Sequence, residues 1–94
     1  MSFREIDDTK FPCFRLAVNA GKRGGTAPAI LSAANEIAVE RFLNHEISFM
    51  DIPKLLKKVM DVADKESVIV QDPALSDVIN ADTWGRRQAK LIAN

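Results

Sequence analysis

The sequence has few of the residues on which metal and redox sites depend. It contains one cysteine, one histidine, one tryptophan and no tyrosine among 94 residues. A single cysteine, Cys13, cannot form an internal disulfide, and this usage is typical of a reducing compartment. A single histidine, His45, leaves the chain without the two-histidine or Glu-x-x-His patterns of zinc and di-metal sites.

Surplus charge and long apolar runs are also missing. Thirteen basic and thirteen acidic side chains give a formal net charge of zero, which excludes the electrostatic signature of a nucleic-acid-binding protein. A polybasic membrane anchor is excluded on the same ground. No apolar run approaches the ~18 residues of a membrane-spanning helix, and the first residues lack the apolar segment of a signal peptide. We therefore expect a soluble, cytosolic protein that binds neither nucleic acid nor a membrane.

The stretch from Gly24 to Asn44 is predicted to form the central helix of one small domain. Thr26 is placed to cap its start, Pro28 is tolerated in the first turn, and Asn44 ends it. On a helical wheel its apolar side chains cover about half of the circumference; these are Ile30, Leu31, Ala34, Ile37, Ala38, Val39 and Phe42. A helix this apolar is predicted to be contacted from several sides. Asn35 falls within the apolar arc, so we expect a buried amide with hydrogen-bond partners.

Two further helices flank this one. The first is predicted from Phe11 to Ala20, with Gly21 ending it, and the short connection to the central helix implies an antiparallel helical hairpin. The other follows Asp51 and is the clearest amphipathic helix of the chain, with apolar residues repeating at helical spacing. These residues are Ile52, Leu55, Leu56, Val59, Met60 and Ala63.

The last third of the chain is predicted to be helical after one extended connection. Residues 67–70, Ser-Val-Ile-Val, are rich in β-branched side chains, but a lone strand has no partner in a helical domain. We therefore predict an extended connection that packs Val68 and Val70 onto the bundle. A short helical turn over residues 75–79 and a final helix capped by Asp82 would follow, with Trp84, Ala89, Leu91 and Ile92 facing inward. The predicted fold is a small all-α bundle of about four helices.

Two groups of residues could carry chemistry. Residues 21–26, Gly-Lys-Arg-Gly-Gly-Thr, superficially resemble a phosphate cradle before a helix, but the P-loop spacing and its preceding strand are missing. The alternatives are an anion site at a helix start and a plain turn, and we favour the turn. Glu36 and Glu40 are paired carboxylates with no histidine at a metal-binding spacing from them. Partner lysines or arginines on another element explain them better than a metal or an acid–base pair.

Three isolated residues have simple structural interpretations. His45 is expected to be exposed to solvent just beyond the C-terminus of a helix, where it interacts favourably with the helix dipole. Cys13 is expected to be a small buried hydrophobe and not a nucleophile. Trp84 is expected to anchor the last helix in the core. No serine has a nucleophile-elbow context. We therefore predict no catalytic, cofactor-binding or metal-binding residue in this chain.

The central stretch resembles a known family. The residues that carry the resemblance are Gly24-Gly25-Thr26-Ala27-Pro28-Ala29, Leu31 to Val39 and Phe42-Leu43, with flanking matches at Phe11-Pro12-Cys13, Leu16-Ala17, Ile47-Ser48-Phe49 and Asp51-Ile52-Pro53. Together they are similar to the C-terminal helical domain of 1-deoxy-D-xylulose 5-phosphate reductoisomerase. The match covers residues 10–62 well and the tail loosely. Ser32 stands where the family pattern usually has asparagine.

The resemblance implies a role within a larger enzyme. Such an enzyme converts 1-deoxy-D-xylulose 5-phosphate to 2-C-methyl-D-erythritol 4-phosphate in the non-mevalonate isoprenoid pathway, in the cytoplasm or, in a eukaryote, in a plastid-type organelle. It uses NADPH and a divalent metal, magnesium or manganese, and is a homodimer. Its cofactor and metal sites lie in NADPH-binding and catalytic domains upstream, which residues 1–10 would join to a helical domain over residues 11–94. The alternative is a stand-alone helical interaction module without catalytic activity.

Overall fold

The chain folds into four α-helices in a computed structural model, which describes the backbone of residues 12–92 and side chains from Arg15 onward. The helices are α1 (Pro12–Arg23), α2 (Ala27–Leu43), α3 (Asp51–Lys65) and α4 (Leu75–Leu91). Residues 12–92 contain no β-strand. The predicted all-α bundle of about four helices is therefore confirmed. The predicted lead-in over residues 1–10 lies outside the described residues.

The central helix α2 is contacted by all three other helices, and most extensively by α4. Its buried residues are Ala27, Ile30, Leu31, Ala33, Ala34, Ile37 and Ala38. Four of these seven are alanines, and small side chains allow the backbones of neighbouring helices to approach closely. The prediction that this helix is central is confirmed, and it ends at Asn44 as expected.

The amphipathic helix α3 has the inward face that its sequence predicts. All six apolar residues at helical spacing, from Ile52 to Ala63, are buried. Asp51 precedes this face and accepts two hydrogen bonds at the helix start, from the backbone N–H and the hydroxyl of Ser48, each at 2.9 Å. An acidic group at this position also interacts favourably with the positive end of the helix dipole.

Helix α1 is longer than predicted. Gly21 was expected to end it but lies within the helix, which continues to Arg23. The stop is Gly24, whose φ of +68° is the left-handed conformation that commonly ends helices. The N–H of Gly24 donates to the carbonyl of Ala20 at 3.0 Å, which completes the cap. Gly24, Gly25 and Thr26 connect α1 to α2, a length that suits the predicted antiparallel hairpin.

Helix α4 is one continuous helix, whereas a short turn and a separate capped helix were predicted. Its N-cap residue is Ala74, whose N–H donates to the Asp77 carboxylate at 3.0 Å. Asp82, the predicted cap, lies inside the helix and accepts a hydrogen bond from Arg86 Nε at 2.9 Å. This i,i+4 pair supports the helix where a break was expected. Leu91 was predicted to face inward but is 70% exposed.

The connection between α3 and α4 is extended, as predicted, but it packs differently. Val68 and Ile69 are the partly buried residues that contact the core. Val70, which was expected to pack inward, is 37% exposed, and its backbone makes the contact with the bundle instead.

Candidate functional site

The turn before α2 is built as a packing contact. The backbone N–H of Thr26 donates to the carbonyl of Val70 at 3.0 Å, and the N–H of Ala27 donates to Gly24 at 3.1 Å. Thr26 occupies the N-cap position, but its side chain does not cap α2. The hydroxyl instead accepts a hydrogen bond from the N–H of Val70 at 2.9 Å. An anion would have to displace these partners, so the geometry favours the plain turn.

The second glycine of this turn lies against the α3–α4 connection. Gly25 has a φ of +56°, and a Cβ added there would collide with the carbonyl oxygen of Val70 and lie 3.0 Å from its carbonyl carbon. Only a residue without a side chain fits this approach. The Gly-Gly-Thr sequence therefore serves to dock two connections against each other.

One of the two basic residues before the turn has a partner in α3. Arg23 forms an ion pair with Asp64, a residue near the end of that helix. Both side chains are substantially exposed, so the pair contributes little to stability. The ion pair shows that the end of α1 lies beside the end of α3.

The carboxylate of Glu36 has the cationic partner predicted for it. Arg86 on α4 contacts Glu36 while its Nε also donates to Asp82. The hydrogen bond with Asp82, followed by that with Glu36, raises the pKa of Arg86 despite some desolvation. Arg86 therefore bridges α4 and α2. The prediction of a partner on another element is confirmed for Glu36.

Sequence reasoning missed Arg41, whose guanidinium contacts the end of α4. One terminal nitrogen of its guanidinium donates to the carbonyls of Ala89 at 2.9 Å and Ile92 at 2.8 Å. Its Nε is buried and lies 3.5 Å from a Glu46 carboxylate oxygen. Arg41 thus satisfies carbonyls at the end of α4, which a helix leaves without internal partners. No local pattern in the sequence points to this role.

The close approach of α4 to α2 depends on a glycine that sequence reasoning also missed. A Cβ added at Gly85 would lie 2.7 Å from the carbonyl oxygen of Ile30 and 3.3 Å from the Cβ of Ala33. Gly85 lies between Ala81 and Ala89, and all three are buried at i, i+4 and i+8 of α4. That spacing of small residues was the available signal.

Four further residues carried individual predictions, and the structure tests three of them. His45 is exposed, as predicted, in a turn where its φ is +63°. Trp84 packs against the core but is only partly buried. Asn35, predicted to be buried, is exposed, because a shallow groove of about 310 Å³ remains between α1 and α2 at this point. The side chain of Cys13 lies outside the described ones.

The described residues differ from a metal site or a phosphate site in two respects. Within residues 15–92, no three His, Cys, Asp or Glu side chains are grouped as metal ligands would be. At the start of α2, the backbone amides of Thr26 and Ala27 are already hydrogen-bonded within the chain. Within residues 15–92 the side chains therefore offer no cluster of ligands for a divalent metal.

Several large apolar side chains are exposed. At one end of the bundle, Leu43, Phe49 and Met50 are 67%, 68% and 69% exposed. On α4, Leu75 and Ile79 are 76% and 56% exposed. None of the helices in the described part of the chain is both long and apolar enough to cross a membrane.

These features define a small helical packing domain, and comparison with known proteins identifies its family. Residues 1–88 match the family described as DXP reductoisomerase C-terminal domain, and the chain belongs to that family. A 1-deoxy-D-xylulose 5-phosphate reductoisomerase of Synechococcus sp. strain JA-2-3B'a(2-13) is 45% identical over 93 residues, which are 99% of this chain and 23% of the relative.

Other relatives with the same description match this chain with similar identity and coverage. The Halothermothrix orenii protein is 44% identical over 98% of this chain and 23% of its own length. The Synechocystis sp. protein is 47% identical over 93% of this chain and 22% of its own length. The chain thus spans about a quarter of the length of the relatives it matches.

Proposed function

We propose that this chain is the C-terminal structural domain of an enzyme that converts 1-deoxy-D-xylulose 5-phosphate to 2-C-methyl-D-erythritol 4-phosphate in isoprenoid biosynthesis. The observation that carries this proposal is the match of residues 1–88 to the C-terminal domain of that enzyme family. The share of the relatives covered, about a quarter, supports it, because the rest of such an enzyme would be upstream domains. In this proposal, residues 1–10 lead from those domains into a bundle over residues 11–94.

The role of the domain in this proposal is to brace the NADPH-binding and catalytic domains. By family resemblance, NADPH and the magnesium or manganese ion would be bound upstream. The absence of a suitable donor set among residues 15–92 is consistent with that division. We accordingly assign no catalytic, cofactor-binding or metal-binding residue to this chain. The complete enzyme would be a homodimer in the cytoplasm.

An add-back assay tests the proposal. A relative, such as the Synechococcus protein, would be truncated before its matching region, and NADPH consumption with the substrate would be followed with and without this chain. A second form would join the same upstream part covalently to this chain. We expect little activity from the truncated enzyme and recovery of rate in the covalent form. The fold of the chain would be verified by its helical circular dichroism.

The alternative is a stand-alone helical interaction module. The exposed apolar side chains at the two ends of the bundle would suit such a module as well as a bracing domain. A folded chain that restores no activity in either form of the assay would favour this alternative and contradict the scaffolding role.

A further inference from the structure

We infer that Leu43, Phe49 and Met50 form the surface on which the upstream domains of the enzyme dock, and we call these three residues the apolar end face. This inference rests on the proposed function. All three side chains are about two-thirds exposed, at 67%, 68% and 69%. Large apolar side chains concentrated in one short stretch, residues 43–50, are typical of a contact surface, whereas scattered single ones are not.

The apolar end face is held in a fixed conformation. Phe49 packs edge-on against Phe42, with ring centroids 5.8 Å apart, and Phe42 itself packs against the core. Ile47, within the same turn, is buried. The two hydrogen bonds from Ser48 to the Asp51 carboxylate fix the turn on the other side. A preorganised surface loses little conformational freedom when a partner binds.

The occupant follows from where the chain enters the bundle. Arg23, the last residue of α1, pairs with Asp64 near the end of α3. Leu16 and Lys57, earlier in the same two helices, line one groove. The two helices therefore run in the same direction, and the start of α1 at Pro12 lies at the same end as the start of α3. The turn that carries Phe49 and Met50 lies there too.

Upstream domains would therefore arrive beside the apolar end face. This chain matches a C-terminal domain and covers 23% of its relative, so about three-quarters of such an enzyme would enter through this end. The other exposed apolar pair, Leu75 and Ile79, lies at the start of α4. That end of the bundle is marked by the contact of Thr26 with Val70 and is remote from Pro12. This pair supplies a matched control.

The test uses the oxidation of Met50 by dilute hydrogen peroxide. Methionine converts to its sulfoxide according to exposure, and peptide mass spectrometry measures each site separately. Met50 is 69% exposed in this chain, whereas Met60 is 8% exposed and serves as an internal reference. The chain alone would be compared with the covalent form that carries the Synechococcus upstream part. We expect most of the Met50 sulfoxide to be lost in the covalent form.

Variants test the same surface without oxidation. In the covalent form, Phe49→Ser is expected to let the helical domain unfold in a separate transition at lower temperature. Leu75→Ser should leave a single transition. In the chain alone, Phe49→Ser should lower the unfolding midpoint only slightly, through the lost ring contact with Phe42, and Leu75→Ser should leave it unchanged.

The outcomes separate the two proposals. Oxidation of Met50 to the same extent in an active covalent form, or equal behaviour of the two serine variants there, would overturn the docking surface and leave the scaffolding role intact. Protection of Met50 in an inactive covalent form would support docking but contradict the scaffolding role. An inactive form without protection would overturn both.

Discussion

Thr26 and Val70 hold each other through two hydrogen bonds that run in opposite directions. The N–H of Thr26 donates to the Val70 carbonyl at 3.0 Å, and the N–H of Val70 donates to the Thr26 hydroxyl at 2.9 Å. Thr26 is completely buried. The contact ties the start of α2 to the extended connection before α4, so the central helix and the last helix are positioned together.

Substitution Thr26→Val is therefore expected to destabilise the fold. Valine keeps the shape of threonine but removes the acceptor, which leaves the Val70 N–H without its partner. The expected cost is about 1–3 kcal/mol of unfolding free energy, measured by urea denaturation followed by circular dichroism. Thr26→Ser keeps the hydroxyl and should lose less. Unchanged stability of Thr26→Val would mean that the hydrogen bond contributes nothing.

Glycines at neighbouring positions of the same turn are expected to differ. Gly24 and Gly25 both have positive φ, but an added Cβ has free space at Gly24 and collides with Val70 at Gly25. Gly24→Ala should cost about 1–2 kcal/mol from backbone strain alone. Gly25→Ala should cost clearly more, because the connection must also move. Similar midpoints of thermal unfolding for both variants would contradict the close approach.

The helical glycines Gly21 and Gly85 provide a second matched pair. Alanine at these two positions is expected to change stability in opposite directions. Alanine is the better helix former by about 0.5–1 kcal/mol, so Gly21→Ala, with nothing within 4 Å of the new Cβ, should stabilise the chain. Gly85→Ala should instead destabilise it by about 1–3 kcal/mol through overpacking against Ile30. Urea unfolding of both variants under one condition measures the difference. A stabilising Gly85→Ala would show that α2 and α4 do not approach closely.

Loss of the Arg41 side-chain head group is expected to loosen the end of α4. Arg41→Met keeps an apolar stem but leaves two carbonyl acceptors without their donor, at a cost of about 1–3 kcal/mol. Hydrogen exchange should accelerate in the last turn of α4. Arg87→Met, which removes an exposed arginine from the same helix, should change stability by less than about 0.5 kcal/mol. If the two variants behave alike, the carbonyl contacts do not stabilise the helix end.

Stability should depend on pH through Asp51. The backbone N–H of Ser48, and then its hydroxyl, lower the pKa of the Asp51 carboxyl below its ordinary value of 3.8. A lowered folded-state pKa stabilises the fold above the unfolded-state pKa, and this contribution disappears as the pH falls through the folded value. Asp51→Asn should therefore be less stable than the parent near neutrality.

The comparison across pH isolates this effect. The difference in unfolding midpoint between the parent and Asp51→Asn should shrink as the pH falls from neutrality to below the ordinary carboxyl pKa of 3.8, since protonation removes the same charge that the substitution removes. Ser48→Ala, which deletes one of the two donors, should give a smaller difference with the same trend. A difference that stays constant over this range would contradict the hydrogen-bonded carboxylate.

Local patterns predicted what depends on one helix and its immediate flanks. The face of α3 was predicted completely, because its apolar residues repeat with the helical period and its other side is charged. The central position of α2 also followed from its composition, since a helix apolar on most sides must be covered on most sides. The family resemblance depended on the same local sequence, and the match over residues 1–88 bears it out.

Contacts between distant residues could not be predicted in this way. Thr26 and Val70 are 44 residues apart, and Arg41 and Ala89 are 48 apart. Whether such groups meet depends on how the helices cross, and no local period encodes a crossing. The exposure of Asn35 has the same cause, because it depends on how α1 packs against α2.

The element boundaries show the same division within single helices. Helix α4 contains a capping residue, Asp82, at which a new helix could have started, and side-chain pairing with Arg86 made it an interior position instead. Gly21 could have ended α1, but Gly24 supplied the left-handed conformation that did so. Residue chemistry therefore fixed which segments are helical and which faces are apolar. Packing between helices decided where they end, which polar groups pair and which apolar side chains stay exposed.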